Sequence, residues 1–173
     1  MARTHGRILT SIWSKDRDFR SLEIGPQHLY LALVTSPRLS LCGTVDYMPD
    51  RIALIAEGLT SAKVQRTVAV LESRRYLVVD RETSELLVRS FVRHDGLLMS
   101  PNMAAGMAKA YHLIESEIIR RALIIELQRL YQEKPSMAGW SSTKVPGLKE
   151  VDPELFAQVM GEGFRQGFEE GAA

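Results

Sequence analysis

A chain of 173 residues, 45% hydrophobic and 25% charged, can bury one good core with an appendage but hardly two full domains. Its net charge of +1 and pI near 7.9 exclude a protein that clings to nucleic acid over its whole surface, so any cationic face has to be local. One cysteine, Cys42, excludes an intrachain disulfide, and its apolar setting, Leu39-Ser40-Leu41-Cys42, reads as an ordinary buried thiol in a reducing compartment. No apolar run approaches the roughly 20 residues needed to span a bilayer, and the apolar patch after Met1-Ala2-Arg3 is too short for a signal core. A soluble, cytoplasmic protein is expected.

Residues 1–23 form an arm in which Arg3, Arg7, Lys15, Arg17 and Arg20 outnumber Asp16, Asp18 and Glu23. Trp13 and Phe19 are its expected anchors on the body, since an aromatic ring buries a large apolar area. The first core helix starts at Gly25-Pro26, where a proline's missing N–H costs nothing, and ends before Ser36-Pro37. Gly43 to Tyr47 is short and β-leaning. Met48 to Leu59 has helical spacing, with Ile52, Ile55, Ala56 and Leu59 on one side and Gly58 as a break. Thr60-Ser61 then caps a helix running to about Arg74, whose apolar ridge is Val64, Val68 and Leu71. Two β-branched-rich runs follow, Tyr76 to Asp80 and Glu85 to Phe91, joined by Arg81-Glu82-Thr83-Ser84.

Beyond residue 95, Ser100-Pro101-Asn102 signals a helix start, with Ser100 as cap and Met103 to Ile114 as its body. Glu117 to Gln132 is a longer helix with a broad apolar stripe, expected to pack on more than one neighbour or across a homodimer. Residues 134–151, with Pro135, Gly139, Pro146 and Gly147, read as a linker in which Trp140 is an exposed-looking aromatic, open to docking on the body or on a partner. The last segment, 152–173, is an amphipathic helix weakened by Gly161, Gly163 and Gly167. From Lys149 onward Lys149 and Arg165 oppose six acids, giving −4.

Helix, turn, helix and β-hairpin, with a short strand before them to join the hairpin, is the order of a winged helix-turn-helix. The fold class expected is mainly α with a small antiparallel β wing (α+β), plus C-terminal helices. The divisions are 1–23 arm, 24–95 winged helix-turn-helix domain, 96–133 helical extension for packing or dimerisation, 134–151 linker, and 152–173 acidic tail.

Ile12-Trp13 with Asp18-Phe19, the helix Gln27-His28-Leu29-Tyr30, the link Gly43-Thr44-Val45, the wing Val79 to Arg89, and Val92-Arg93-His94-Asp95 leading to Pro101-Asn102 give the chain a further likeness. Across roughly residues 8–131 it resembles the small winged-helix proteins of bacteriophages and their actinobacterial hosts, usually described as helix-turn-helix DNA-binding or replication-initiation proteins. That resemblance implies a DNA-binding module in phage replication or transcription regulation within a bacterial cytoplasm. The tail after Lys134 falls outside it.

In a helix-turn-helix the early residues of the second helix reach base edges. Stepping 100° per residue from the apolar ridge puts Ala62, Lys63, Arg66, Ala69, Val70 and Ser73 on the opposite face. Lys63 and Arg66 are therefore the candidates for base or phosphate contact, with Ser61 and Gln65 at the margin and Arg74, Arg75 and Arg81 for flanking phosphates. Between Thr60 and His94 seven cations face four anions. Against this, Asp80, Glu82 and Glu85 surround Arg81 at the wing tip and would repel phosphate, and Ala62, Ala69 and Val70 could equally seat a protein. The alternative partner is thus a host or replisome protein, gripped by the same fold or by the tail, which could also fold back as an autoinhibitor.

His5, His28, His94 and His112 lack metal-ligand spacing, and His94-Asp95 beside a strand end reads as structural. With no phosphate-cradling glycine loop and no nucleophile elbow, neither a cofactor nor enzymatic activity is expected.

Overall fold

The computed structural model describes residues 5–140 and 145–161. It is an α+β protein: helices surround a three-stranded antiparallel sheet, and no helix among the described residues is long and apolar enough to cross a membrane.

The arm ends in a one-turn helix, α1 (Arg17–Arg20), started by the Asp16 carboxylate, which accepts from the Phe19 N–H at 2.8 Å. Phe19 is the arm's anchor, fully buried with its ring edge-on to Tyr30 and Tyr76 at 5.5 and 6.1 Å. Trp13, expected as a second anchor, meets the Phe19 ring edge-on at 5.5 Å but stays 51% exposed, because it closes a single surface turn outside the core. Helix α2 (Ile24–Val34) has Pro26 in its first turn and sends Leu29, Tyr30, Leu33 and Val34 inward.

Strand β1 (Thr44–Asp46) follows, then α3 (Pro49–Ile52) and a 3-10 turn from Ala53 to Ile55. The helix expected over 48–59 is thus cut short. Ala56 is extended and Gly58 has φ +72, a value that suits a residue without Cβ, so the chain reverses before another helical turn forms. Of the expected apolar face only Ile52 is fully buried, and Ile55 is 44% exposed.

Thr60 caps α4 (Ser61–Ser73) through its hydroxyl, which accepts from the Lys63 N–H at 3.3 Å. Val64, Val68 and Leu71 are all buried as the ridge predicts. Burying each such side chain is worth about 1.5–3 kcal/mol, and α4 packs on both α2 and α3. Strands β2 (Leu77–Asp80) and β3 (Glu85–Val88) pair antiparallel, and β1 joins the outer edge of β3, giving the order β1-β3-β2. The second run ends at Val88, three residues before the expected limit. Phe91 instead opens the short helix α5 (Phe91–His94) and packs onto Gly43, where a Cβ would lie 2.7 Å from Phe91 Cβ.

Helix α6 (Pro101–Tyr111) begins after Ser100 as expected, although the Ser100 hydroxyl makes no capping bond. Helix α7 (Glu117–Glu133) is capped by Ser116 and packs against the hairpin and α5, while Ile118 and Ile125 remain exposed. The segment read as a linker packs down where it is described. Gly139 donates to the Leu98 carbonyl at 2.8 Å, Leu148 is fully buried in α8 (Leu148–Val151), and Trp140 is only 3% exposed. Of the two docking places expected for Trp140, the body or a partner, it takes the body: its indole Nε1 donates to the Lys134 carbonyl at 2.9 Å and its ring meets Tyr131 edge-on, so the large apolar area and the one donor are both satisfied inside. Helix α9 (Pro153–Met160), started by the Asp152 carboxylate, turns Leu155 and Val159 inward and lies against α7. The rest of the expected tail helix, with Phe164 and Phe168, lies outside the described residues.

Candidate nucleic-acid interface

The solvent face of α4 holds the residues that helical geometry assigned to it: Ala62, Lys63, Gln65, Arg66, Ala69 and Val70 are exposed, and Ser61 is half-buried at the start. Lys63 Nζ donates to the Gly58 carbonyl at 3.1 Å, which leans the side chain over the turn while leaving its charge uncompensated. Arg66 has no carboxylate partner among the described residues.

Arg75 adds a third cation by an unusual route. The helix ends in a Schellman motif, with the Tyr76 N–H donating to the Leu71 carbonyl and the Arg75 N–H to the Glu72 carbonyl, both at 2.8 Å. That motif requires a left-handed residue, usually glycine, and Arg75 occupies it at φ 61. A non-glycine there costs on the order of 1 kcal/mol, and the arginine side chain is exposed.

The other two cations assigned to phosphate are engaged within the chain. Arg74 donates to the Ser21 hydroxyl at 2.6 Å and pairs with Asp18 at 3.2 Å, tying the end of α4 to α1. Arg81 donates to both Glu72 oxygens, at 2.7 and 3.3 Å, with its guanidinium over the Tyr47 ring.

Two of the wing's three acids, Asp80 and Glu85, are engaged as well, while Glu82 is exposed. Asp80 accepts from the Ser116 hydroxyl at 2.6 Å and from the Glu82 N–H at 2.9 Å, bonds that hold its carboxyl below the ordinary 3.8. Glu85 accepts from the Ser116 and Glu115 N–H groups at 2.7 and 3.2 Å. Ser116 is also the cap of α7, its oxygen accepting from the Ile119 N–H at 3.1 Å. The wing tip is therefore a seat for the start of α7.

Further along α7, Glu126 is 1% exposed and faces Arg89 at 3.4 Å, Arg93 at 3.6 Å and Arg129 at 2.7 Å, while Arg93 also pairs with Glu133. Of the seven cations between Thr60 and His94, Arg74, Arg81, Arg89 and Arg93 face carboxylates, which leaves Lys63, Arg66 and Arg75. Glu126 was missed, and the signal for it was present: an acid at a core-facing position of a helix, between Leu123 and Leu127 on one side and Leu130 on the other, needs cations brought from elsewhere.

Among the described residues no three His, Cys, Asp or Glu side chains gather as metal ligands would. No protein-family model matches the chain, and no curated protein or solved structure does.

Proposed function

We propose that the protein binds duplex DNA through the outer face of α4, as a winged helix-turn-helix protein in which Lys63 and Arg66 enter the major groove. The observation that carries this reading is an α4 whose inner face is fully buried while its outer face offers small residues and uncompensated cations. The order α2, β1, α3, α4, hairpin supports the fold name, and Arg75 supplies a flanking phosphate contact. Arg74 and Arg81 act through position, fixing the ends of the helix and wing. A homodimer on paired half-sites would raise the modest affinity of so few contacts. The setting, phage replication initiation or transcription regulation in a bacterial cytoplasm, rests on the resemblance alone.

Fluorescence anisotropy with labelled duplexes across a salt series, for the native protein and the Lys63→Ala, Arg66→Ala double variant, tests the reading. Affinity that falls with salt and collapses in the folded double variant supports it. Absence of binding at low salt sinks it.

One observation favours a second reading, an adaptor for a host or replisome protein: Leu54 is 83% exposed, Ile55 44% and Val70 43%. In that case Leu54→Asp abolishes partner binding while Arg66→Ala leaves it intact.

A further inference from the structure

Between the arm and the body lies a cavity of about 290 Å³ whose lining includes none of the residues assigned to DNA. That volume is at the small end of the roughly 300–1,000 Å³ usual for ligand pockets. Its apolar part is formed by Ile8, Leu9 and Ile12 of the arm, Val34 of α2 and Phe91 of α5. Ile8 and Leu9 are 36% and 49% exposed, and apolar side chains left open beside a cavity are groups a ligand would cover.

The rest of the lining is polar, with Arg7 and Lys15 facing Asp16 and Asp95 in charge, and Ser11, Tyr30, Ser90 and His94 uncharged or hydroxyl-bearing. Tyr30 reaches the wall with its hydroxyl bonded to Ser90. Burial and the neighbouring Arg93 charge lower the pKa of His94, so near neutrality its ring is uncharged and offers one donor and one acceptor. Asp16 is held by the cap of α1, and Arg7 donates to the Asp95 carbonyl at 3.3 Å with other guanidinium donors to spare. Lys15 is exposed and has no ion-pair partner among the described residues. Lys15 and Arg7 thus keep donors to spare, whereas Asp16 accepts from backbone and Asp95 is engaged within the chain.

We infer that this cavity is a binding site for a small aromatic carboxylate: the ring lies between Ile8, Ile12, Val34 and Phe91, a ring N–H or O–H meets His94, and the carboxylate is held by Lys15 and Arg7. Such a ligand meets both the apolar residues of the cavity and the spare donors of Lys15 and Arg7. Because the arm supplies one wall and the body the other, occupancy clamps the arm down. The site is separate from the α4 face, so it stands whether or not the protein binds DNA.

Titration of the full-length protein with indole-3-acetate, indole-3-acetamide and tryptamine, followed by calorimetry and amide NMR shifts, tests the inference. Saturable binding of indole-3-acetate is expected, with shifts confined to residues 7–16, Tyr30, Val34 and 90–95. The amide and the amine should bind at least about tenfold more weakly, the loss expected for one charge-assisted contact. Lys15→Ala should erase most of that preference. Ile8→Trp, a change at a partly exposed position that need not disturb the core, should block the cavity while the protein stays folded by circular dichroism. The inference is overturned if none of the three compounds saturates, if tryptamine binds as well as the acid, or if Ile8→Trp leaves binding unchanged.

Discussion

On the outer face of α4, Lys63, Arg66 and Arg75 stand in water without a carboxylate, whereas on the hairpin side Arg81, Arg89 and Arg93 lie against Glu72, Glu126 and Glu133. All six are cations of one short stretch of sequence. Arg81 is matched by Glu72 of α4 itself, whereas Arg89 and Arg93 are matched only by what a later part of the chain brings, Glu126 and Glu133 on α7. A count of charge along a segment therefore overstates its phosphate-binding capacity; only the uncompensated cations can release counterions from DNA.

The largest test of this contrast strikes the paired side. Glu126→Gln leaves Arg89 and Arg93 gathered around a neutral group, and breaking a buried ion pair costs 3–5 kcal/mol. Their side chains are 30% and 26% exposed and can reach water, so about 3 kcal/mol is expected, read as a lower urea midpoint with an unchanged slope. A loss below about 1 kcal/mol would mean the three arginines do not depend on the carboxylate.

The unpaired side should respond in affinity and hardly in stability. Lys63→Ala and Arg66→Ala should each weaken DNA binding about tenfold, roughly 1.4 kcal/mol, with unfolding shifted by no more than about 0.5 kcal/mol. Equal losses for Arg81→Ala would abolish the distinction between the two sides.

Ser116→Ala removes the α7 cap and the partner of Asp80 together. About 1 kcal/mol of stability should be lost in chemical denaturation, with DNA affinity untouched.

Arg75→Gly sharpens the contrast at a single residue. Relief of the left-handed backbone should raise stability by about 0.5–1 kcal/mol, while the salt slope of DNA binding falls by about one unit. A stability gain with no change in slope would make Arg75 a strained bystander.

The smallest effect is acid dependence at the wing. The Asp80 carboxyl is held below its ordinary 3.8, so its contribution is complete above 3.8 and is lost as pH falls through the lowered value. Asp80→Asn should flatten the acid limb of the stability profile measured by urea melts, and an unchanged limb would place that dependence elsewhere.

Where a side chain's fate depends on its own helix or strand, the sequence was enough. Period and propensity located α2, α4, the hairpin and α7, picked Val64, Val68 and Leu71 as the inner face, and placed β1 at the sheet. The same arithmetic put Lys63 and Arg66 outside. Long-range contacts escaped it. Nothing within Lys134 to Trp140 announces that Leu98 will receive Gly139, so a glycine- and proline-rich stretch reads as a linker, and Trp140 as a ring whose docking place, body or partner, is open. The pairing of Arg74 with Asp18 spans 56 positions, and the cavity needs the arm to fold across α2 and α5, which no periodicity encodes. The shortness of α3 is the exception, a local failure in which apolar spacing persisted through a stretch that the turn at Gly58 had already unwound.

Cys42 sits in the core with its Sγ donating to the Met107 carbonyl at 3.3 Å, and burial pushes its thiol up to about 12. Thiolate is the reactive form, so near neutrality a maleimide or disulfide reagent meets almost none of it while the chain is folded. The protein thereby carries its own clock. Pulses of reagent along a denaturant or temperature series would label only molecules in which α6 has parted from the β1 side, timing that opening without an introduced probe.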